Sequence, residues 1–96
     1  MISLSVVVPV YNVEQYLDEC LSSLLHQGVD DLEVIVVNDG SPDNSQQIID
    51  RYTGAYPHIF KCVTQKNQGL GAARNTGIPY CTKEYMAFLD SDDFLI

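Results

Sequence analysis

The 96-residue sequence has no tryptophan, only three cysteines, and five basic residues against thirteen acidic ones. Cys20, Cys62 and Cys81 are widely spaced and fall in no CxxC or CxxH pattern. They form neither a disulfide framework nor a zinc site, and read as small buried hydrophobes of a reducing compartment. The shortage of Lys and Arg leaves a formal charge of −8. That charge argues against nucleic acid as a partner and gives no attraction to anionic lipid. An anionic ligand must then be held by a metal, by backbone N–H groups or by the few basic residues. Long hydrophobic runs are also missing: Leu4 to Val10 is far too short to span a bilayer, and Met1-Ile2-Ser3 lacks a basic leader. The chain reads as cytoplasmic, with peripheral attachment to the inner face of a membrane left open.

What is present is an ordinary globular composition, 46% hydrophobic and 19% charged, enough for one small domain. Four apolar runs alternate with three helical patterns. Leu4 to Val10 is β-branched and nearly continuous, as for a strand buried on both faces. Asn12 is read as the N-cap of a first helix, with Gln15 completing a capping box and Gly28 supplying the stop. Leu17, Cys20, Leu21, Leu24 and Leu25 make the apolar stripe of that helix. Leu32 to Val37 is a second strand, and a second helix runs through Ile48, Ile49 and Tyr52, ending before Pro57. Ile59 to Thr64, a small-residue helix from Gly71 to Gly77 and a strand from Tyr85 to Leu89 complete the pattern. The expected fold is α/β: a Rossmann-like parallel sheet of four strands, with three crossover helices on both faces.

Ligands of open parallel sheets bind at the carboxyl ends of the strands. The unusual residues fall there: Pro9, Tyr11 and Asn12 after the first strand, and Asn38 to Ser41 after the second. Asn67, Gly69 and Gly71 follow the third, and Asp90, Asp92 and Asp93 the fourth. Three carboxylates within four residues repel one another unless a cation or solvent separates them, so they form either a solvated acidic turn or an all-oxygen metal site. Arg74 is the one charged residue between Asn67 and Thr82, which points to a specific anionic partner: a ligand phosphate, or a carboxylate such as Asp39 or Asp90. His26 and His58 lie near no motif and are read as surface positions.

Val7-Val8-Pro9-Val10-Tyr11-Asn12, Val36-Val37-Asn38-Asp39-Gly40-Ser41, Asn67 to Gly77, and Asp90-Ser91-Asp92-Asp93 together resemble the successive signatures of family 2 glycosyltransferases, enzymes of the GT-A fold. The match covers almost the whole chain in order and spacing. The resemblance implies a nucleotide-diphospho-sugar donor, Mg²⁺ or Mn²⁺, and a glycan or lipid-linked acceptor, as in polysaccharide or cell-envelope synthesis. It places Pro9, Tyr11, Asp39, Arg74 and Asp90 at the nucleotide. Tyr11 would stack on the base, Asp39 accept a base N–H, Arg74 meet a phosphate and Asp90 hold the ribose hydroxyls, while Asp92 would ligate the metal. Taken by themselves, Tyr11 also fits a core tyrosine, Asp39 a turn former and Asp93 an acceptor-side or merely exposed group.

The family's general base lies downstream of the DxD motif. Residues 1–96 are therefore expected to be the donor-binding front of a longer glycosyltransferase domain, inactive alone and prone to self-association through an exposed sheet edge. Two other readings share the fold class. A non-catalytic nucleotide-sugar-binding module differs only in lacking the downstream base. A receiver-type phosphoacceptor domain would carry its acidic pair after the first strand, where this sequence has Pro-Val-Tyr-Asn.

Overall fold

The computed structural model describes residues 2–90, so Asp92 and Asp93 of the acidic terminus lie outside it. Its strands are β1 (Ser3–Val10), β2 (Asp31–Asp39), β3 (Phe60–Gln65) and β4 (Tyr85–Phe88). The helices are α1 (Glu14–Leu25), α2 (Ser45–Ala55) and α3 (Leu70–Gly77), followed by a 3₁₀ turn at Ile78–Tyr80. All pairings are parallel, in the order β3-β2-β1-β4. The α/β fold expected from the apolar runs is the one observed. No helix of the described residues is long and apolar enough to cross a membrane.

Pleating sorts the strand residues onto two faces. Val6, Val8, Val10, Val34 and Val36 pack with Leu17, Cys20, Leu21 and Leu24 of α1 and Ile49 of α2. Val7, Ile35 and Val37 face the other way, against Ala73 of α3. Helices α1 and α2 share one face because β1→β2→β3 steps in one direction; α3 takes the opposite face because the chain returns across the sheet to β4. Right-handed crossovers require that switch. Helix α3 sits very close to the sheet, since a Cβ on Gly77 would lie 2.5 Å from Val7 Cγ1. Only glycine permits that approach.

Two local expectations are corrected. Asn12 is not the N-cap of α1. Its φ is 58°, outside the extended region a cap residue needs, and Val13 holds the cap position with no side-chain cap bond. Gln15 therefore completes no capping box. The fourth strand is not buried: Tyr85, Met86, Ala87 and Phe88 are all exposed, because β4 is an edge strand. Cys20 is buried, but Cys62 and Cys81 are only partly so, and all three are free thiols.

Polar side chains tie the amino end of the sheet together. Glu33 is 2% exposed and accepts bonds from Ser5 Oγ (2.7 Å), Lys61 Nζ (2.5 Å) and the Thr82 backbone N–H (2.9 Å). The Thr82 hydroxyl adds a further donor. Lys83 N–H donates to Ser5 Oγ, and Lys83 Nζ pairs with Asp31 at 2.8 Å. This cluster anchors β1, β2 and β3 to the segment that feeds β4.

Candidate functional site

Strand order reverses between β1 and β4, which in an open parallel sheet marks the ligand crevice. Pro9 helps to open it. The β1–β4 ladder ends with Leu89 N–H donating to the Val7 carbonyl. Its next rung would run from the N–H of residue 9 to the Leu89 carbonyl, and proline has no N–H. Pairing stops there, and the chain is released at Leu89 and Asp90.

Asp39, at the end of β2, is fully buried. Its Oδ1 accepts from Gln65 Nε2 and Gln68 N–H, both at 2.9 Å. Its Oδ2 accepts from Asn67 Nδ2 at 3.1 Å and Gly69 N–H at 3.0 Å. Burial alone would raise its pKa, but Gln65 and the Gln68 and Gly69 N–H groups outweigh it and lower the value. One carboxylate thus organises the whole loop between β3 and α3. Gly40 accommodates this arrangement: its φ is +68°, and a Cβ there would lie 2.7 Å from Asn67 N. Gln65 also accepts from Thr76 Oγ1 at 2.5 Å, linking the cradle to α3.

Arg74 leaves α3 toward the crevice, and its Nη2 donates to Asp90 Oδ1 at 2.6 Å. Of the partners expected for Arg74, the structure shows the Asp90 carboxylate. The pair is about one-third to one-half exposed, so it lines the crevice mouth. Tyr11 directly follows β1 and is 40% exposed, which removes the reading as a core tyrosine. In register, Val10 pairs with Asn38, so Tyr11 and Asp39 leave adjacent strands at the same level. Pro9, Tyr11, Asp39, Arg74 and Asp90 are therefore placed at one sheet edge, while Asp92 is outside the described residues. His26 and His58 are exposed and lie on segments that lead into the amino ends of β2 and β3.

Asn38, Ser41 and Asp43 are functional-edge residues that a local reading takes for turn chemistry. Asn38 Nδ2 donates to Gln46 Oε1 and its Oδ1 accepts the Ser41 N–H. Ser41 Oγ accepts the Asn12 N–H at 2.9 Å, and Asp43 Oδ2 accepts the Glu14 N–H at 3.1 Å. The only available signal was the Asn-Asp-Gly-Ser-Pro-Asp string itself, which does not reveal partners 29 residues away.

Among the described residues no group of three or more His, Cys, Asp or Glu could hold a metal ion. The acidic terminus offers oxygen donors without thiolate or imidazole. That set suits Mg²⁺ or Mn²⁺, which need only one or two carboxylates when phosphates and water complete the shell.

Comparison with known proteins gives the same answer as the fold. The chain is 45% identical over 92 residues to the glycosyltransferase GlyA of Streptococcus pneumoniae, covering 96% of this chain and 13% of that protein. It superposes on S. aureus TarS 1–349 in complex with UDP-GlcNAc with a TM-score of 0.88 at 36% identity, covering 96% of this chain and 27% of that one. A Pyrobaculum calidifontis mannosyltransferase in complex with GDP-Man and Mn²⁺ gives a TM-score of 0.88 at 28% identity, over 97% of this chain and 28% of that one. The chain thus spans little more than a quarter of these solved structures and less of GlyA. The family model for glycosyl transferase family 2 matches residues 5–96, and the chain belongs to that family.

Proposed function

We propose that the chain is the donor-binding part of a glycosyltransferase that moves a sugar from a nucleotide-diphospho-sugar to an acceptor hydroxyl in polysaccharide or cell-envelope glycan synthesis. The observation that carries this reading is the convergence of Tyr11, the Asp39 cradle and the Arg74–Asp90 pair at the switch point between β1 and β4. The nucleotide-sugars named with the TarS and mannosyltransferase structures support it.

In this reading Tyr11 offers its exposed face to the base, a contact that does not demand base identity. Asp39 accepts a base N–H by exchanging one of its two side-chain donors, Gln65 or Asn67, while the backbone donors Gln68 and Gly69 keep the loop in place. Asp90 keeps Arg74 on Oδ1 and turns its other oxygen to the ribose hydroxyls. Arg74, half-exposed beside it, lies within reach of a phosphate as well. Asp92 holds Mg²⁺ or Mn²⁺, which when bound neutralises charge on the departing nucleoside diphosphate. The acceptor site and the general base belong to sequence downstream of Ile96, so residues 1–96 alone bind donor and transfer no sugar. The acceptor is a glycan or a lipid-linked glycan, reached from the cytoplasm at the inner membrane face. The exposed β4 edge is the surface through which the isolated residues would self-associate.

Calorimetric titration with UDP, GDP and dTDP, each with and without Mn²⁺, tests the reading. Binding of at least one of them is expected to tighten at least about tenfold with Mn²⁺. Asp92→Ala is expected to remove that metal dependence while leaving the melting temperature nearly unchanged. Absence of metal-dependent binding by the folded protein would sink the donor-site reading.

A further inference from the structure

Helices α1 and α2 begin on a single carboxylate. Asp43 Oδ2 accepts the N–H of Glu14, the first residue of α1, at 3.1 Å. Its Oδ1 accepts the N–H of Ser45, the first residue of α2, at 3.1 Å and the Ser41 hydroxyl at 2.5 Å. The Ser41 oxygen in turn accepts the Asn12 N–H. An ordinary cap serves its own helix from within a few residues; Asp43 reaches 29 residues back along the chain. Burial would raise its pKa, yet the Ser41 and Ser45 side chains and the Ser45 and Glu14 N–H groups hold it at about 2, so it is ionised at neutral pH.

What this clamp fixes is the backbone on either side of Tyr11. Val10 is paired in the sheet, and Asn12 is held at a φ of 58° by its bond to Ser41. The side chain of Tyr11 has no hydrogen bond or ring contact among the described residues, so its direction is set by that backbone. We propose that Asp43, acting with Ser41, is a positioning residue that orients Tyr11 toward the nucleotide base. Base recognition then depends on a carboxylate that never touches the ligand. The inference rests on the base-stacking role proposed for Tyr11.

A double-mutant cycle in the full chain tests it, because residues acting through one another do not add. An asparagine at position 43 cannot accept both backbone N–H groups: whichever way its amide turns, NH₂ faces either Glu14 or Ser45. Asp43→Asn is expected to weaken the best-binding member of UDP, GDP and dTDP about tenfold, and to change Mn²⁺-pyrophosphate affinity by less than about twofold. In a Tyr11→Ala background, Asp43→Asn is expected to cost nothing further. Ser41→Ala, which cuts the Asn12 link but leaves both helix starts bonded to Asp43, gives the same pattern and replaces Asp43→Asn if that variant does not fold. Additive losses, an equal loss of pyrophosphate affinity, or unchanged nucleotide binding in Asp43→Asn or its Ser41→Ala replacement would overturn the inference. If Tyr11→Ala itself leaves nucleotide affinity unchanged, the stacking role fails and the inference falls with it. If Tyr11→Ala weakens binding and the clamp variants do not, only the inference falls.

Discussion

Replacing Asp39 by asparagine is expected to destabilise the chain by about 2–4 kcal/mol and to weaken nucleotide binding by a hundredfold or more, on the order of 3 kcal/mol. The change is nearly isosteric, so the loss comes from hydrogen bonding alone. Each oxygen of Asp39 accepts one backbone N–H, from Gln68 and from Gly69. The amide of an asparagine has one acceptor end, and in either orientation its NH₂ meets a backbone donor that cannot rotate away. Gln65 and Asn67 can flip their side chains; the backbone cannot. The loop between β3 and α3 then opens, and with it the approach of Arg74 to Asp90. Urea denaturation and calorimetry on the same preparations measure both effects. A stability change within about 0.5 kcal/mol of zero would show that the four-donor cradle does not organise the loop.

Glu33→Ala is expected to cost about 2–4 kcal/mol, lowering the melting temperature by more than about 10 °C. It leaves Ser5 Oγ and the Thr82 N–H without their acceptor beneath the sheet face and removes the partner of Lys61, whose side chain is half-exposed and relaxes into water. The same carboxylate gives the chain an acid limit. Burial would raise its pKa, but Lys61, Ser5 and Thr82 hold it at about 2 against an ordinary 4.5. A pKa depressed by folding contributes stability in full above the unfolded value and loses it as pH falls through the folded value. The contribution of Glu33, about 3 kcal/mol, is therefore present above about pH 4.5 and disappears toward pH 2. Asp43, at about 2 against 3.8, and Asp39, lowered in the same direction, act in the same window. Melting temperatures followed from pH 7 to pH 2 check this: wild type should fall steeply below about pH 4.5, and Glu33→Ala much less steeply. Parallel curves would contradict the assignment.

The strands and the α1 stripe were legible because both rest on periodicity, which is local in sequence. Val6 to Val10 and Val34 to Val37 read as doubly buried strands and are buried. The placement of motifs at the carboxyl edge was legible too, since α/β alternation dictates which strand end faces the ligand. Three kinds of feature were not. Asn12 looks like a cap from its neighbours, but its conformation is set by Ser41, 29 residues on. Glu33 sits inside an apolar run and reads as a strand residue, because its partners come from β1, β3 and residue 82. Exposure of β4 follows from its place at the sheet edge, which composition does not encode: Tyr85 to Phe88 is as apolar as the runs that are buried. In each case the deciding interaction is long-range, and its partner carries no local mark. Arg74 shows the converse. A lone cation among small residues announced a specific anion, and the structure supplies Asp90.

The central claim is that nucleotide binds at the switch-point edge of the sheet and nowhere else on the chain. Amide hydrogen exchange with and without the best-binding nucleoside diphosphate and Mn²⁺ addresses it most directly. Protection is expected at residues 10–14, 38–41 and 67–75, with residues 26–31 and 55–60, at the amino ends of β2 and β3, unchanged. Protection confined to those amino-end segments, or to the cleft between α1 and α2 lined by Asp18, His26, Arg51 and Tyr52, would contradict the account.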